Sequence, residues 1–255
     1  MFTPDTPSGF CFTGWYVGNA PFDIDAPINE DITVEAKYAA AAYADNNGFI
    51  FLDEGHTKLV ACKNADGNIT IPDTTVEIAA RAFAENCFIG KLTIQSGVKV
   101  IGENAFANCN GLKTVILPDG LKEIGENAFL GCNLTSIVIP NSVTALGTGA
   151  FYGTSLTSVT IGKGITALPD SVFRGCSKLE TITIGSNITS IGDLAFYDCE
   201  KLKTVVCKAE TPPTLGGYIL SGAPDLKIKV PAGAVEAYKA APIWSTYAPY
   251  ITANS

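Results

Sequence analysis

Charge is scarce in this sequence: 16% of its 255 residues are charged, and 17 basic against 25 acidic side chains leave a net charge of -8. That balance disfavours phosphate backbones and anionic lipid surfaces as generic partners, so nucleic acid is not expected as a ligand. Histidine is nearly absent. His56 stands alone in a predicted turn beside Asp53 and Glu54 and reads as a solvent-exposed turn residue. A hydrolytic triad would need a nucleophile and an orienting carboxylate gathered around it, and no Gly-x-Ser-x-Gly elbow occurs. There is no Cys-x-x-Cys pair, no histidine accompanies any of the 8 cysteines, and no Gly-Lys-Ser or Gly-Lys-Thr phosphate loop follows a strand. No catalytic, cofactor-binding or metal-binding residue is therefore assigned, and no cofactor is expected. Long apolar runs are missing as well: none approaches the roughly 20 residues that cross a bilayer. The start, Met1-Phe2-Thr3-Pro4-Asp5, lacks the basic and apolar stretches of a secretory signal. The chain is read as a fragment whose signal and anchor lie outside it.

What the sequence does have is a 47% hydrophobic content arranged in a repeat. A phenylalanine recurs at Phe83, Phe106, Phe129, Phe151, Phe173 and Phe196, in steps of 23, 23, 22, 22 and 23 residues. Eight and five positions before it lie apolar pairs such as Val98 and Ile101, Leu121 and Ile124, Val143 and Leu146, Ile165 and Leu168, and Ile188 and Ile191. The Phe83 unit fits less well, with Thr75 and Ile78. Glycines at Gly102, Gly125, Gly147 and Gly192 mark a shared turn.

After each phenylalanine comes a leucine or isoleucine followed three and five residues later by apolar residues, as in Leu112-Val115-Leu117 and Leu134-Ile137-Ile139. The spacing of two within that pattern predicts one short strand per unit with alternate side chains inward. Strands returning to the same edge after some 17 residues stack only in parallel. The predicted fold is thus a mainly β repeat solenoid, a right-handed coil of parallel strands, with the phenylalanines stacked along the opposite side.

These residues carry a resemblance. The unit from Leu112 to Phe129, Leu-Lys-Thr-Val-Ile-Leu-Pro-Asp-Gly-Leu-Lys-Glu-Ile-Gly-Glu-Asn-Ala-Phe, is similar to the BspA-type, or treponemal-type, leucine-rich repeat. The resemblance implies a surface protein, and the family is associated with binding host matrix proteins. Phe49 to Leu52 and Leu59 to Cys62 read as a hairpin cap leading into Ile69-Thr70-Ile71. Leu226 to Val230 and Pro231 to Ala240 read as a strand-helix cap like the closing unit of this family, with the domain ending near Ile251. Gly9 to Tyr16, Pro21-Phe22-Asp23 and Asp31 to Tyr38 resemble the later part of a Listeria-Bacteroides repeat, a small β-module. The expected division is a truncated module at residues 1–39 and a leucine-rich repeat domain with its caps at 40–255.

Cys109, Cys132, Cys176 and Cys199 each lie three residues after the repeat phenylalanine, with Thr154 in the equivalent place of the Phe151 unit. Positions locked to the repeat suit a buried ladder of small side chains better than paired disulfides. Cys87 is one position late, and Cys11, Cys62 and Cys207 read as apolar strand or cap positions. Glu103 and Glu126 recur with the repeat and read as an exposed acidic row, because a catalytic group is needed once. Asn68, Asn133 and Asn187 begin Asn-x-Thr sequons of the kind Thr-rich repeats generate by chance.

Between the inward residues of each strand stand outward ones: Lys91 and Thr93, Thr114 and Ile116, Ser136 and Val138, Ser158 and Thr160, Thr181 and Thr183, Thr204 and Val206. They predict two columns on a flat, nearly uncharged face. β-branched residues suit any sheet surface, and extended solenoid faces also serve as binding surfaces. The expected ligand site is Thr93, Thr114, Ile116, Ser136, Val138, Ser158, Thr160, Thr181 and Thr183. The expected function is a monomeric, extracellular or surface adhesion module, without membrane insertion, that takes a protein or glycan of a host or neighbouring cell. The alternative is a spacer with no ligand of its own. An ice- or lattice-binding role for the Thr-x-Thr columns is interrupted by Lys91, Ile116, Val138 and Val206.

Overall fold

The computed structural model describes residues 10–17, 20–21, 33, 35–40, 43–63, 65–220 and 226–254, with the segment up to Ala40 given as backbone strands. The strands wind into a solenoid, and each unit adds to two parallel ladders where the sequence predicts one. The longer strands are Gly67–Ile71, Ile89–Ile94, Thr114–Ile116, Ser136–Val138, Ser158–Thr160, Thr181–Ile184, Thr204–Cys207, Lys227–Val230 and Ile251–Ala253. The second ladder holds the two-residue strands Glu77–Ile78, Val100–Ile101, Glu123–Ile124, Ala145–Leu146, Ala167–Leu168, Ser190–Ile191 and Thr214–Leu215. Ile101, for example, pairs in parallel with Ile78 on one side and Ile124 on the other. A two-residue strand turns one side chain inward and leaves no alternation to read, so this ladder has no sequence signature of its own.

The side opposite the longer strands is built around the repeat phenylalanines. Their rings stack face to face in an unbroken column, with centroids 5.0, 5.3, 5.5, 5.7 and 5.9 Å apart from Phe83 to Phe196 and planes within 11° of parallel. Each ring is buried, and each pair adds roughly 0.5–1.5 kcal/mol beyond the area it removes from water. The backbone follows the same register. The amides of Phe106, Phe129 and Phe151 donate to the carbonyls of Ala128, Ala150 and Val172, the residues just before the next phenylalanine, at 2.8, 2.9 and 3.0 Å. Alternate amides turn back within their own unit, as Ala107 does to Asn104.

That pattern imposes a left-handed backbone two residues before and two after every phenylalanine. The first position is held by Arg81, Asn104, Asn127, Gly149, Ser171 and Leu194, the second by Glu85, Asn108, Gly131, Gly153, Gly175 and Asp198, all with φ between 51° and 69°. Asn and Gly tolerate this region, and the others are held there by the inter-unit bonds. The glycines read as turn markers have a different reason to be there. A Cβ on Gly125 would lie 2.8 Å from the Glu103 nitrogen and 3.0 Å from the Ile101 carbonyl oxygen. The preceding coil, not a turn angle, excludes a side chain.

The cysteines complete the column. The Cys109, Cys132 and Cys199 thiols donate to the carbonyls of Phe83, Phe106 and Phe173, one unit back, at 3.0, 3.1 and 3.2 Å. Thr154 instead turns its hydroxyl to its own Phe151 carbonyl, 3.0 Å away, and lies 3.2 Å from the Cys176 sulfur. Cys87, Cys109, Cys132, Cys176, Cys199 and Cys207 are free thiols. The hydrogen bond with the Cys109 side chain, and burial, raise the Cys132 thiol above its ordinary range. Cys176 and burial do the same to Cys199, and burial alone pushes Cys207 up to about 12. Protonated thiols are poor nucleophiles and serviceable donors. The Cys11 side chain lies outside the described residues.

The 22-residue units lack one residue between this column and the strand: Cys132-Asn133-Leu134 stands where Cys109-Asn110-Gly111-Leu112 stands a unit earlier. The ladder of longer strands is interrupted there, between Thr114–Ile116 and Ser136–Val138, and again before Thr181–Ile184. Side chains bridge the corner: the Asn133 amide donates to the Asn110 carbonyl at 2.6 Å and the Thr157 hydroxyl to the Thr135 carbonyl at 3.1 Å.

Both ends of the core are covered. Phe49–Phe51 and Lys58–Cys62 form the predicted antiparallel hairpin, joined by Tyr43–Ala44, and Leu59 pairs in parallel with Ile78 to start the second ladder. At the other end the segment read as one helix is a 3-10 turn, Ala232–Ala234, followed by the α-helix Val235–Ala240. The Tyr238 hydroxyl donates to the Ala209 carbonyl at 2.9 Å and the Trp244 indole to the Pro213 carbonyl at 2.7 Å. Ile251–Ala253, where the sequence reading ends the domain, pairs in parallel with Ile228, Lys229 and Val230 and so adds a further rung. Nearer the N-terminus, Phe10–Val17 pairs antiparallel with Ala20–Pro21 and Glu35–Ala40. The rest of the segment read as a truncated module lies outside the described residues.

Three outcomes test this account. Phe129→Ala removes the middle of the ring column and should cost on the order of 3–5 kcal/mol in chemical denaturation; a loss below about 1 kcal/mol would mean that the column is not a major source of stability. Thr75 occupies the place held by Val98 and Leu121 in later units, is fully buried, and its hydroxyl has no hydrogen-bond partner. Thr75→Val should therefore stabilise the domain by about 1 kcal/mol, and a decrease would contradict the assignment. An alkylating reagent in native buffer should label the exposed Cys87 at once and leave Cys109, Cys132, Cys176, Cys199 and Cys207 untouched until the protein is denatured. Native labelling of Cys132, read by peptide mass, would contradict the packing.

Candidate functional site

Because side chains alternate across a strand, the inward set Leu92, Val115, Ile137, Val159, Ile182 and Val205 fixes which residues face out. The ladder register then aligns them: Thr114 beside Lys91 and Ile116 beside Thr93, Ser136 beside Ser158 and Val138 beside Thr160, Thr181 beside Thr204 and Thr183 beside Val206. All nine residues assigned from sequence stand in these two columns. Thr114, Ile116, Ser136, Val138, Ser158, Thr160 and Thr181 are exposed, and Thr93 and Thr183 half-buried. Ile116 at 46% and Val138 at 63% exposure place two apolar side chains at the centre of the face.

The columns run further than the sequence reading takes them. Asn68 and Thr70 precede Lys91 and Thr93, and Lys227 and Lys229 follow Thr204 and Val206, with Thr252 beside Lys229. The signal for the extension is the alternation Lys227-Ile228-Lys229-Val230, which marks a strand whose outward residues belong to the same face. Among the described residues the two columns contain no carboxylate, although the chain as a whole is acidic.

The remaining chemistry-bearing residues have structural employment. His56 is half-buried rather than exposed, and its ring stacks on Phe51 at 4.7 Å and 12°. The loop is shaped by Asp53, whose carboxylate accepts from the Thr57 amide and hydroxyl and the Lys58 amide at 2.9, 2.9 and 2.7 Å; these bonds hold its carboxyl below the ordinary 3.8. Asp170 and Asp193 take the place of Glu103 and Glu126 in later units: Asp170 accepts from the Asp193 amide at 2.8 Å and Asp193 from the Gly217 amide at 2.6 Å, so these two splice successive coils. Glu103 and Glu126 are instead exposed and accept from the side-chain amides of Asn104 and Asn127 beside them. Asn133 and Asn187, at two of the sequons, spend their amides on backbone carbonyls of the preceding unit. Among the described residues no group of three or more His, Cys, Asp or Glu side chains converges, and no helix is long and apolar enough to cross a membrane. The apolar cavity beneath Trp244, lined by Ile184, Phe196 and Leu215, measures about 10 Å³, room for little more than one water. A shallow depression of about 330 Å³ lies between Ser186 and Thr189 on one side and Ala209 to Pro213 on the other.

A comparison with curated proteins finds no match. The structure is similar to a leucine-rich repeat protein from Bacteroides ovatus, at 20% identity over 74% of this chain and 68% of that one, with a TM-score of 0.47. It is similar to the pneumococcal vaccine antigen PcpA, at 20% identity over 81% of this chain and 45% of the antigen, with a TM-score of 0.49. A third similar structure is the leucine-rich repeat protein of T. pallidum, at 24% identity over 72% of this chain and 90% of that one, with a TM-score of 0.48. The profile of the BspA type leucine-rich repeat region matches in 6 copies, over residues 60–148 and 101–227, which together span more than half of the sequence. With its phenylalanine column and its paired ladders built on that repeat, the chain belongs to the BspA-type leucine-rich repeat family.

Proposed function

We propose that this domain is a non-catalytic adhesion module, secreted or held at a bacterial cell surface, that binds a protein or glycan of a host or neighbouring cell through its two-column strand face. The supporting observation is the exposure of Ile116 and Val138 at the middle of a flat row of hydroxyls. Apart from the half-buried Val206, the other aliphatic residues of this size in the ladder face inward. Extended solenoid faces bind partners over a large area because neighbouring units present aligned side chains at fixed spacing. The domain acts as a monomer and needs no cofactor, and residues 1–39 are a separate module in front of the solenoid at 40–255.

The test is the combined variant Thr114→Glu, Ile116→Glu, Val138→Glu and Thr160→Glu, measured for binding to host cells and matrix-coated surfaces. These side chains are exposed, so the thermal midpoint should hold while binding drops at least about tenfold, which corresponds to about 1.4 kcal/mol. Binding unchanged by the four substitutions would exclude this face. A wild-type domain that captures nothing from cells, matrix or glycan arrays would favour the spacer reading.

A further inference from the structure

The strand face is not uniform along its length. Its centre carries hydroxyls and aliphatics, while lysines gather at the C-terminal rungs. Lys227 and Lys229 are both outward residues of one strand, two positions apart and so roughly 6.6 Å along it. Their rung neighbours are Thr204 and Val206, roughly 4.8 Å away across the ladder. Lys203 and Lys208 flank that neighbouring strand, Thr204–Cys207, one at each corner, and both are exposed. Four ammonium groups thus occupy two adjacent rungs of a protein whose net charge is -8.

None of the four is paired with a carboxylate among the described residues, whose ion pairs include Lys58 with Glu77 and Lys239 with Glu236. The nearest acidic groups in register and chain are Glu180, one rung before Lys203 at the same corner, Glu210, two residues after Lys208, and Asp225, two residues before Lys227 in sequence and outside the described residues. Holding like charges this close costs free energy that a polyvalent anion would recover on binding. A flat ladder offers no enclosure for a small anion, but it can lie along a linear polymer.

We propose that these C-terminal rungs, with Lys203, Lys208, Lys227 and Lys229, bind an anionic polysaccharide, sulfated or carboxylated. The hydroxyls of Thr204, Thr181, Thr183 and Ser158 continue the track for the sugar hydroxyls. This assignment rests on the reading of the strand face as the binding surface and gives that surface a ligand class. Nucleic acid fits less well, because the outward residues of these two rungs, Thr204, Val206, Lys227 and Lys229, include no aromatic ring on which a base would stack, and the exposed Tyr250 stands alone before the last strand.

The test uses the whole chain with two charged polysaccharides, heparin and a polyuronate, and with neutral dextran and single-stranded DNA as controls. Wild type should bind at least one of the two charged polymers at about 50 mM salt and lose most of that binding by about 300 mM, as charge-dominated contacts do. Lys203→Gln, Lys227→Gln and Lys229→Gln together should weaken binding at least tenfold with an unchanged thermal midpoint. Lys99→Gln with Lys122→Gln, which removes charges beside the second ladder, should change it less than twofold. The proposal falls if neither charged polymer binds, if the two lysine sets matter equally, or if a single-stranded DNA probe binds more tightly than either polymer. Loss of adhesion on placing glutamates at Thr114, Ile116, Val138 and Thr160, together with no polymer binding, would retain the strand face and discard only its polyanionic ligand. Polymer binding that depends on the lysines, with adhesion untouched by those glutamates, would do the reverse.

Discussion

The hydrogen bond from each repeat phenylalanine up to Phe173 to the carbonyl just before the next one fixes nearly everything else in this solenoid. It places successive phenylalanines one rung apart, so their rings must stack, and the 5.0–5.9 Å centroid spacing follows from the backbone rather than from ring attraction alone. It also fixes the phenylalanine carbonyl, which then accepts a thiol from the following unit. Once this side of the coil is in register, the longer strands have no freedom to slip by one residue. A slip would turn Leu92, Val115 and Ile137 outward and bury the hydroxyls instead.

The same constraint explains which parts of the fold were legible in the sequence. Phe106, Phe129, Phe151 and the leucine-led strands are large apolar residues at a fixed period, and burial selects them strongly. The left-handed positions are invisible by comparison: Arg81, Asn104, Asn127, Gly149, Ser171 and Leu194 share a backbone conformation and little chemistry. Tertiary hydrogen bonds impose that conformation, and local preference merely tolerates it. Thr75 shows the converse. Its misfit with the repeat was plain in the sequence, and the structure shows the consequence, a buried hydroxyl without a partner at the first full unit next to the hairpin cap.

The candidate face was legible for a related reason. Outward residues are defined by exclusion once the inward set is known, so Thr114, Ile116, Ser136 and Val138 could be assigned without any sign of a ligand. The extension to Lys227 and Lys229 needed the register of the last strands, because the sequence before Leu226 breaks the period on which the assignment relied. Ile251–Ala253 shows the limit of periodicity most clearly, since it joins the ladder after a helix and a 3-10 turn.

A repeat protein divides its residues into those that the period dictates and those that it leaves free. In this chain Cys109, Cys132 and Cys199, the aspartates Asp170 and Asp193 and the glycines such as Gly125 recur with the period, and each meets a backbone group of a neighbouring coil. Their chemistry is consumed by the fold. The strand-face columns are periodic in position only, and their identities change from lysine to hydroxyl to aliphatic and back to lysine along the stack. Structure constrains those positions only to be compatible with a sheet. On that exposed face packing imposes no identity, so its side chains can change along the stack while the phenylalanine column stays the same.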